Sequence, residues 1–276
     1  MNKINVAILG SGPLAELCMK KIKARSDLNL LSMDATSAPP TEADCILYLP
    51  GTEALAKGDA ATRVITLLQE GFNVVTPVPA EAIAHPDLLK ACKQGSATFH
   101  GSGGFQNSLP SRFNRAFSTI TRDIRKVELT EELPLETLDD TAAAKTEPYY
   151  KGAMHTLAQA VFGDASANET SSSVVDDSSQ QEALSVFRSL GDRVVYASKW
   201  THRTDITPPL RYRFRTVSEE ATGITTITFN SDGDTSITDH LTCKSLLNAI
   251  GAVAQSSPGI LHHDLEINYV MPDNRL

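Results

Sequence analysis

The sequence predicts an α/β protein in which a doubly wound parallel sheet is combined with a second, α+β domain. Three observations predict this architecture. From Ile4 to His100, short apolar runs alternate with segments of helical periodicity, which is typical of parallel strands separated by crossover helices. After about residue 120 the predicted strands collect together, with helices beside them. At roughly 150 residues per domain, the length of 276 residues suits two domains or one large one.

The first part of the chain divides into five strands and the helices between them. An apolar run at residues 4–9 predicts the first strand, and a glycine turn leads from it into a helix. Apolar residues at helical spacing predict two further helices around residues 61–68 and 88–92. The other four strands are predicted at residues 28–33, 45–49, 72–75 and 97–100.

The pattern changes in the second part of the chain. A polar, serine-rich stretch predicts a loop at residues 168–179. Strands are predicted at residues 127–133, 194–197, 210–217 and 224–229. Helices are predicted at residues 149–162, 180–190 and 241–254, the last of them ended by Ser257-Pro258-Gly259.

Composition and charge narrow the classes of partner. The chain carries 25 Lys and Arg against 33 Asp and Glu, a net charge of −8, which argues against nucleic acid or an anionic membrane because both require a basic face. No stretch approaches the roughly 20 apolar residues of a membrane span. The N-terminus enters a strand without a signal peptide, so a cytoplasmic protein is expected.

The four cysteines each lie inside an apolar segment and are far apart in the sequence: Cys18, Cys45, Cys92 and Cys243. Because no C-x-x-C pair is present, the sequence predicts neither a metal site nor a dithiol redox site. They are interpreted as small core hydrophobes in a protein of a reducing compartment.

The turn after the first strand reads Gly10-Ser11-Gly12-Pro13-Leu14-Ala15. Gly10 permits a tight turn, Gly12 lets the backbone approach a pyrophosphate, and the small Ala15 packs the helix against the strand. Pro13 suits the first helical turn, where its missing N–H costs nothing. Because the pattern follows an apolar strand and opens a helix, it indicates a Rossmann-type dinucleotide site that uses Gly10, Ser11, Gly12, Pro13 and Leu14. A tight strand–helix turn without a ligand is the alternative.

Asp34 closes the second strand, at the position where an acidic side chain binds the ribose 2′-hydroxyl in dinucleotide sites. A 2′-phosphate would be repelled there, and residues 35–37 contain no arginine, so the sequence favours NAD over NADP. A turn-forming aspartate with no ligand is the alternative.

Three further segments follow the glycine turn in a familiar order: Phe72-Asn73-Val74-Val75-Thr76-Pro77, His100-Gly101-Ser102-Gly103-Gly104-Phe105, and Leu246-Leu247-Asn248-Ala249-Ile250 leading to Ser257-Pro258-Gly259-Ile260. With that turn they resemble the dihydrodipicolinate-reductase-like NAD(P)-dependent oxidoreductases. Within this family the sequence is most similar to the branch of 2,4-diaminopentanoate dehydrogenase and the native amine dehydrogenases. The likeness covers residues 1–120 and 240–262.

The resemblance implies a Rossmann doubly wound domain and a second, α+β mixed-sheet domain that binds substrate and builds a homodimer. It also implies hydride transfer between NAD(P)H and a C=N bond or the amine that it becomes. It also implies that the last helix returns to the first domain. The predicted domains are therefore 1–122 plus 244–276 for the dinucleotide and 123–243 for substrate and dimerisation.

Two segments depart from the family's pattern. The family's glycine loop reads G-[ST]-G-I-[NH]-P-G-F, whereas here residues 101–103 run straight into Gly104-Phe105, beside the expected nicotinamide. The amine dehydrogenases have a catalytic glutamate after the Asn-Val-Val strand, and Glu81 is the only carboxylate in the corresponding stretch of this chain. The His-His-x-x-Lys signature of true dihydrodipicolinate reductases is absent.

Loops beyond the carboxyl ends of the strands are expected to hold the cofactor, because ligands of doubly wound folds lie there. They supply the glycine turn, then Pro50, Gly51 and Thr52 beside the ribose, and Thr76 after the fourth strand. Backbone groups of Gly101 and Gly103 are expected to approach the nicotinamide amide.

Four side chains are candidates for moving the proton that accompanies hydride transfer. Glu81 would hold an ammonium group or act as acid and base, or is a surface carboxylate at a helix start. His100 leaves a buried strand toward the cofactor, or is a structural histidine. Lys151 and His155 share one helix face and would meet the substrate across the cleft, unless that face is only solvated.

Three arginines, Arg211, Arg213 and Arg215, alternate along a predicted strand and therefore share one face. They would bind a carboxylate-bearing substrate or a partner subunit, or they form a solvent-facing stripe paired with acidic residues.

The leading functional hypothesis is an NAD(P)-dependent oxidoreductase that acts on a small imine, amine or related carbonyl compound. A second hypothesis is a family member that has lost hydride transfer and works as a cyclase or isomerase. A third is a protein that binds the dinucleotide without turnover.

Overall fold

The computed structural model describes two sheets and the helices packed on them. It describes residues 3–34, 38–51, 54, 58–80, 83, 85–103, 110, 113–114, 117, 120–135, 140–163, 166–176, 183–202, 210–229 and 236–261.

Within these residues the helices are α1 Pro13–Lys23, α2 Asp59–Gln69, α3 His85–Gly95, α4 Asp140–Phe162 and α5 Ile237–Gln255. The strands are β1 Ile4–Gly10, β2 Leu28–Asp34, β3 Cys45–Leu49, β4 Val74–Thr76, β5 Thr98–Gly101, β6 Lys126–Leu135, β7 Glu169–Asp176, β8 Ala183–Leu190, β9 Val194–His202, β10 Arg211–Val217, β11 Thr222–Thr228 and β12 Gly259–Ile260. None of the described helices has the length and apolarity that a membrane crossing requires.

The first sheet has the strand order β12-β5-β4-β3-β1-β2, and every neighbouring pair is parallel. Alternate residues of a strand point to opposite faces of the sheet, and in this sheet both faces are apolar and covered by helices. Val6 and Ile8 of β1 pack with α1 and α5, whereas Ala7 and Leu9 pack with α2 and α3. The predicted doubly wound sheet is therefore confirmed.

Helix α1 begins directly after the glycine turn, with Pro13 in its first turn. Ala15, Cys18 and Ile22 recur on one face and are fully buried, and three lysines in the last turn suit the negative end of the helix dipole. Burying a side chain such as Ile22 stabilises the fold by about 1.5–3 kcal/mol. The partner of this face is α5, which also contacts β3, β4 and β5. The domain boundaries at 122/123 and 243/244 stay a prediction.

The second sheet has the strand order β11-β10-β6-β9-β8-β7. It is mixed, as predicted, since β6 and β9 are parallel while the other neighbours are antiparallel. Helix α4 packs against β8 and β9, and its residues Tyr150, Met154 and Leu157 are buried in the core of this sheet.

A buried carboxylate lies at the centre of that core. Glu131 on β6 is 0% exposed, and it accepts hydrogen bonds from the hydroxyl of Tyr150 at 2.5 Å, the hydroxyl of Tyr196 at 3.2 Å and the indole N–H of Trp200 at 3.4 Å. The hydroxyl of Tyr212 also donates to it. Burial and the charge of Glu131 raise the pKa of all three tyrosines. A buried carboxylate is tolerated here because donors surround it.

Two predicted elements of the second part are wrong. The predicted loop at 168–179 contains β7, whose polar residues suit a strand at the edge of a sheet with a single neighbour. The predicted helix at 180–190 contains β8, in which Leu184, Val186, Arg188 and Leu190 alternate toward the core with the period of a strand. The helix predicted at 149–162 begins earlier, at Asp140, and residues 259–260 add β12 to the edge of the first sheet beside β5.

Candidate functional site

The glycine turn lies at the point where the strand order of the first sheet reverses. The chain places β2 on one side of β1 and then returns to place β3 on the other side. In sheets of this order, ligands bind beyond the carboxyl ends of the strands at this switch point. Gly10, the last residue of β1, stands opposite Leu49, the last residue of β3.

Gly10 is required by the closeness of β3. A β-carbon at this position would lie 2.5 Å from the carbonyl oxygen of Leu49 and 2.7 Å from its β-carbon. Any larger residue would therefore push β1 and β3 apart where the turn begins. Leu49 is absent from the sequence-based candidates, because the register between two strands is a tertiary property that residue spacing does not reveal.

Gly12 has a different role. Its φ of +90° lies in the region that favours glycine, and a β-carbon there would have no atom of the described residues within 4 Å, its two chain neighbours aside. The space above Gly12 is thus open, and a side chain would fill it. Gly12 is also the N-cap of α1, and no side chain caps this helix.

The start of α1 fits a dinucleotide pyrophosphate. The first N–H groups of a helix have no intrahelical partner, and together with the helix dipole they favour an anion. Pro13 occupies the first turn, Ser11 and Pro13 are exposed, and Leu14 is half-buried. The small Ala15 is fully buried, which lets α1 approach the sheet closely.

The other residues predicted for the ribose lie on the same edge of the sheet. Asp34 ends β2 opposite Leu9 and is exposed. Pro50 and Gly51 directly follow β3, with Pro50 half-buried and Gly51 exposed. Thr52 lies outside the described residues.

The loops after β4 and β5 are joined by their backbones. The N–H of Ser102 donates to the carbonyl of Thr76 at 2.8 Å, and the N–H of Val78 donates to the Thr76 hydroxyl at 3.3 Å. A β-carbon on Gly101 would lie 2.4 Å from the carbonyl of Val78, so glycine is needed for this approach. Gly103 is buried with a φ of +61°. Thr76, Gly101 and Gly103 therefore shape the part of this edge that lies beyond β4 and β5.

Glu81 and His100 are the two catalytic candidates that the sequence assigns to this edge of the sheet. Glu81 lies outside the described residues, as do Gly104 and Phe105 of the shortened loop. His100 is 4% exposed on β5, and its Nδ1 lies 2.8 Å from the carbonyl of Leu261. Because a carbonyl oxygen only accepts, Nδ1 carries the proton. This contact matches the structural alternative for His100; its catalytic role stays a prediction.

Lys151 and His155 lie on one face of α4, and that face meets the edge strand β7. The Nζ of Lys151 is 3.1 Å from a carboxylate oxygen of Glu169, and the Nε2 of His155 is hydrogen-bonded to the other. Partial burial works to raise the pKa of Glu169, but the hydrogen bonds from His155 and Lys151 outweigh it and hold this pKa below its ordinary value. The structure thus gives both Lys151 and His155 an acidic partner in the second sheet.

The arginine stripe of β10 is paired with acidic residues of β6. Arg211 lies 3.3 Å from Glu132, and Arg215 lies 2.5 Å from Glu128. Hydrogen bonds from Lys126 and Arg215 lower the pKa of Glu128. Arg213 is exposed on the same face. Two of the three arginines thus have the acidic partners that one alternative expects, whereas binding of a carboxylate-bearing substrate or of a partner subunit stays a prediction. Within the described residues, no three His, Cys, Asp or Glu side chains form a group suited to a metal ion.

Solved structures with the same architecture are dehydrogenases and reductases. An amine dehydrogenase from Mycobacterium smegmatis matches with a TM-score of 0.65 and 13% identity, over 94% of both chains. A dipicolinate-bound dihydrodipicolinate reductase from Paenisporosarcina sp. TG-14 matches with a TM-score of 0.56 and 10% identity, over 94% of this chain and 97% of that one. GenD2 from gentamicin A biosynthesis, solved in complex with NAD, matches with a TM-score of 0.59 and 11% identity, over 94% and 90%.

The sequence itself gives no comparable match. No family profile matches it, and no curated protein is significantly similar to it. The likeness to solved structures, at these identities, establishes the fold. The resemblance predicted from the motifs is therefore confirmed at the level of the fold: the chain has the two-sheet architecture of the amine dehydrogenase and the dihydrodipicolinate reductase.

Proposed function

We propose that this protein is an NAD(P)-dependent oxidoreductase that transfers hydride to or from a small imine, amine or related carbonyl compound. One observation carries the proposal: an open glycine turn, with Gly12 at a φ of +90° and no side chain capping α1, lies at the switch point of a doubly wound sheet. The fold shared with an amine dehydrogenase, a dihydrodipicolinate reductase and an NAD-bound protein supports the same class of activity.

In this proposal the backbone of the glycine turn holds the cofactor. The N–H groups at the start of α1 bind the pyrophosphate, and the absence of a side chain at Gly12 leaves room for it. Asp34, at the end of β2, accepts a hydrogen bond from the ribose 2′-hydroxyl, which favours NAD. Pro50 and Gly51 border the same ribose. The bound nicotinamide supplies the hydride.

The substrate lies beyond the ends of β4 and β5, where the joined loops at Thr76 and Gly101 form the wall next to the cofactor. A carboxylate, imidazole or amine must move the proton that accompanies hydride transfer. Glu81 and His100 are the candidates on this edge. Lys151 and His155 are candidates from the second sheet, and to meet the substrate they would have to leave Glu169.

The first test is dinucleotide binding, measured by calorimetry with NADH and NADPH. We expect the wild type to bind at least one of them below about 1 mM, the upper end of ordinary enzyme affinities. Gly12→Val should abolish this binding, because its side chain fills the space above the turn. Gly58→Val is the matched control, since Gly58 is also an N-cap with positive φ and open space around it, but at α2.

Retained affinity in Gly12→Val, or no binding of either cofactor to the wild type, would refute the proposed site. If a cofactor binds, a panel of carbonyl compounds with ammonia, followed at the nicotinamide absorbance, tests turnover. Binding without turnover across the panel would favour the non-catalytic dinucleotide-binding protein over the oxidoreductase.

A further inference from the structure

Two of the four cysteines are brought together by the packing of α1 against α5. Cys18 on α1 is 0% exposed and Cys243 on α5 is 2% exposed, and both belong to the buried cluster where these two helices pack. They come from opposite ends of the chain, so the sequence spacing gave no indication of a pair. Neighbouring cysteines on two packed helices are candidates for a disulfide, which requires close β-carbons.

A cavity of about 270 Å³ lies where the end of α1 meets α5, and Cys243, rather than Cys18, forms part of its wall. Lys21, Arg25 and Lys244 line the same cavity, together with His240. A small reagent that enters the cavity therefore reaches Cys243 before Cys18, beside the positive charges of Lys21 and Lys244. Reactive cysteines are found in such electropositive, partly accessible surroundings.

The charges around the pair act mainly on Cys243. Its hydrogen bond from Cys18 and the positive charge of Lys21 lower its pKa, and they outweigh burial and the negative charge of Asp239 one helical turn away. The same contact, with burial, raises the pKa of Cys18. Together with its place in the cavity wall, this direction favours Cys243 over Cys18 as the thiolate.

The two remaining cysteines are a contrast within the same chain. Burial raises the pKa of Cys45 to about 12 and that of Cys92 to about 11. Both are buried against the first sheet, and among the described contacts neither has a second cysteine as its hydrogen-bond partner. They serve as internal controls for any thiol reagent.

We propose that Cys243 is a peroxide-reactive thiol and Cys18 its resolving partner, so that a hydroperoxide converts the pair into a disulfide linking α1 to α5. The Cys243 thiolate attacks one peroxide oxygen, the O–O bond breaks, and the leaving hydroxide or alkoxide takes up a proton, which gives a sulfenic acid. The sulfur of Cys18 then loses its proton and attacks the Cys243 sulfur. The S–S bond forms, the S–O bond breaks, and water leaves. Two thiols are oxidised by two electrons and one hydroperoxide is reduced.

The experiment treats the full-length reduced protein with hydrogen peroxide, blocks the remaining thiols with an alkylating reagent, and maps the peptides by mass spectrometry. We expect a Cys18–Cys243 cross-link that a dithiol reductant reverses. The pKa of Cys92 is raised to about 11, so a larger fraction of Cys243 than of Cys92 is present as thiolate. Because a less basic thiolate is also less nucleophilic, part of this advantage is lost, and we expect Cys243 to react at least about tenfold faster than Cys92.

Variants separate the attacking from the resolving thiol. In Cys18→Ser, Cys243 should stop at the sulfenic acid, which dimedone traps, whereas Cys243→Ser should leave Cys18 reduced. Lys21→Ala should slow the oxidation by about threefold, because it removes one nearby positive charge. Lys20→Ala is its matched control, since Lys20 lies in the same last turn of α1 but does not line the cavity.

The outcomes decide between a reactive pair and two inert core thiols. Oxidation of Cys243 to a sulfinic acid without a cross-link would overturn the resolving role of Cys18. Equal rates for Cys243, Cys45 and Cys92, or no oxidation of Cys243, would overturn the proposal as a whole. Because mapping on the wild-type chain decides these points, the proposal remains testable even if a cysteine variant fails to fold.

Discussion

Replacing the buried Glu131 by alanine is expected to destabilise the second sheet strongly, while the same change one residue later is not. Glu131 points into the core and accepts four hydrogen bonds there. Glu132 points to the other face, is 46% exposed at its side chain, and contacts Arg211 at 3.3 Å. The two variants remove the same chemical group from neighbouring positions, so they compare burial and hydrogen bonding directly.

The magnitude follows from the donors that lose their acceptor. Tyr150, at 2.5 Å, and Tyr212 make the short contacts, whereas the hydroxyl of Tyr196 also lies 3.4 Å from that of Tyr212 and keeps a neighbour. A hydrogen bond to a charged group contributes about 1.5–3 kcal/mol, so losing two short ones costs about 3–6 kcal/mol. Glu132→Ala should change the free energy of unfolding by less than about 0.5 kcal/mol.

Urea denaturation measures both variants, followed by the fluorescence of Trp200, the only tryptophan of the chain and a donor to Glu131. If Glu131→Ala leaves too little folded protein, Tyr212→Phe removes one short donor and should cost about 1.5–3 kcal/mol. A loss below about 1 kcal/mol for Glu131→Ala, or an equal loss for Glu132→Ala, would refute the role assigned to the buried carboxylate.

Two further predictions concern the ends of the strands and the edge of the second sheet. Asp34→Ala should weaken NADH binding by about tenfold without weakening NADPH binding, because only the ribose of NADH has a free 2′-hydroxyl there. Asp27→Ala is the control, since Asp27 lies before the other end of β2, and it should change the affinity for neither cofactor. Equal losses of affinity for both cofactors in Asp34→Ala would contradict the ribose contact. Glu169 has a folded pKa below its ordinary value of 4.5, so its ion pairs stabilise the protein above that pH and this contribution disappears as the pH falls through the folded pKa. The melting temperature of Glu169→Gln should therefore lie below that of the wild type at about pH 7 and approach it at about pH 3. A constant difference at both values would argue against the ion pairs.

The first sheet could be predicted from the sequence because its signals are local. Strands buried on both faces are continuous apolar runs, and the glycine turn stands between one of them and a helix. The second sheet was harder to predict for a physical reason. As an edge strand, β7 is polar and has the composition of a loop, and β8 carries the buried Arg188 at a position where a core strand is expected to be apolar.

The candidate site likewise contains residues that could be predicted from the sequence and contacts that could not. Gly10, Gly12 and Pro13 could be recognised from spacing alone, since their roles depend on one turn. The physical reasons why glycine is required at two positions lie elsewhere in the chain. The carbonyl of Leu49 is close to Gly10, and the carbonyl of Val78 is close to Gly101. The thiol pair and the donors around Glu131 depend on how distant segments pack, and a single sequence contains no signal of either.

Helix α5 has a consequence for how this protein is made. The face of β1, β3 and β4 that packs with α1 is completed by residues 243–253, and the whole second sheet is encoded between them and the first strands. The ribosome therefore synthesises β1 to β5 long before it synthesises the segment that covers their apolar side. During synthesis this face must stay shielded by chaperones or by transient packing. A fragment ending at residue 122 would expose Val6, Ile8 and Leu47, and we expect it to aggregate where the full chain folds.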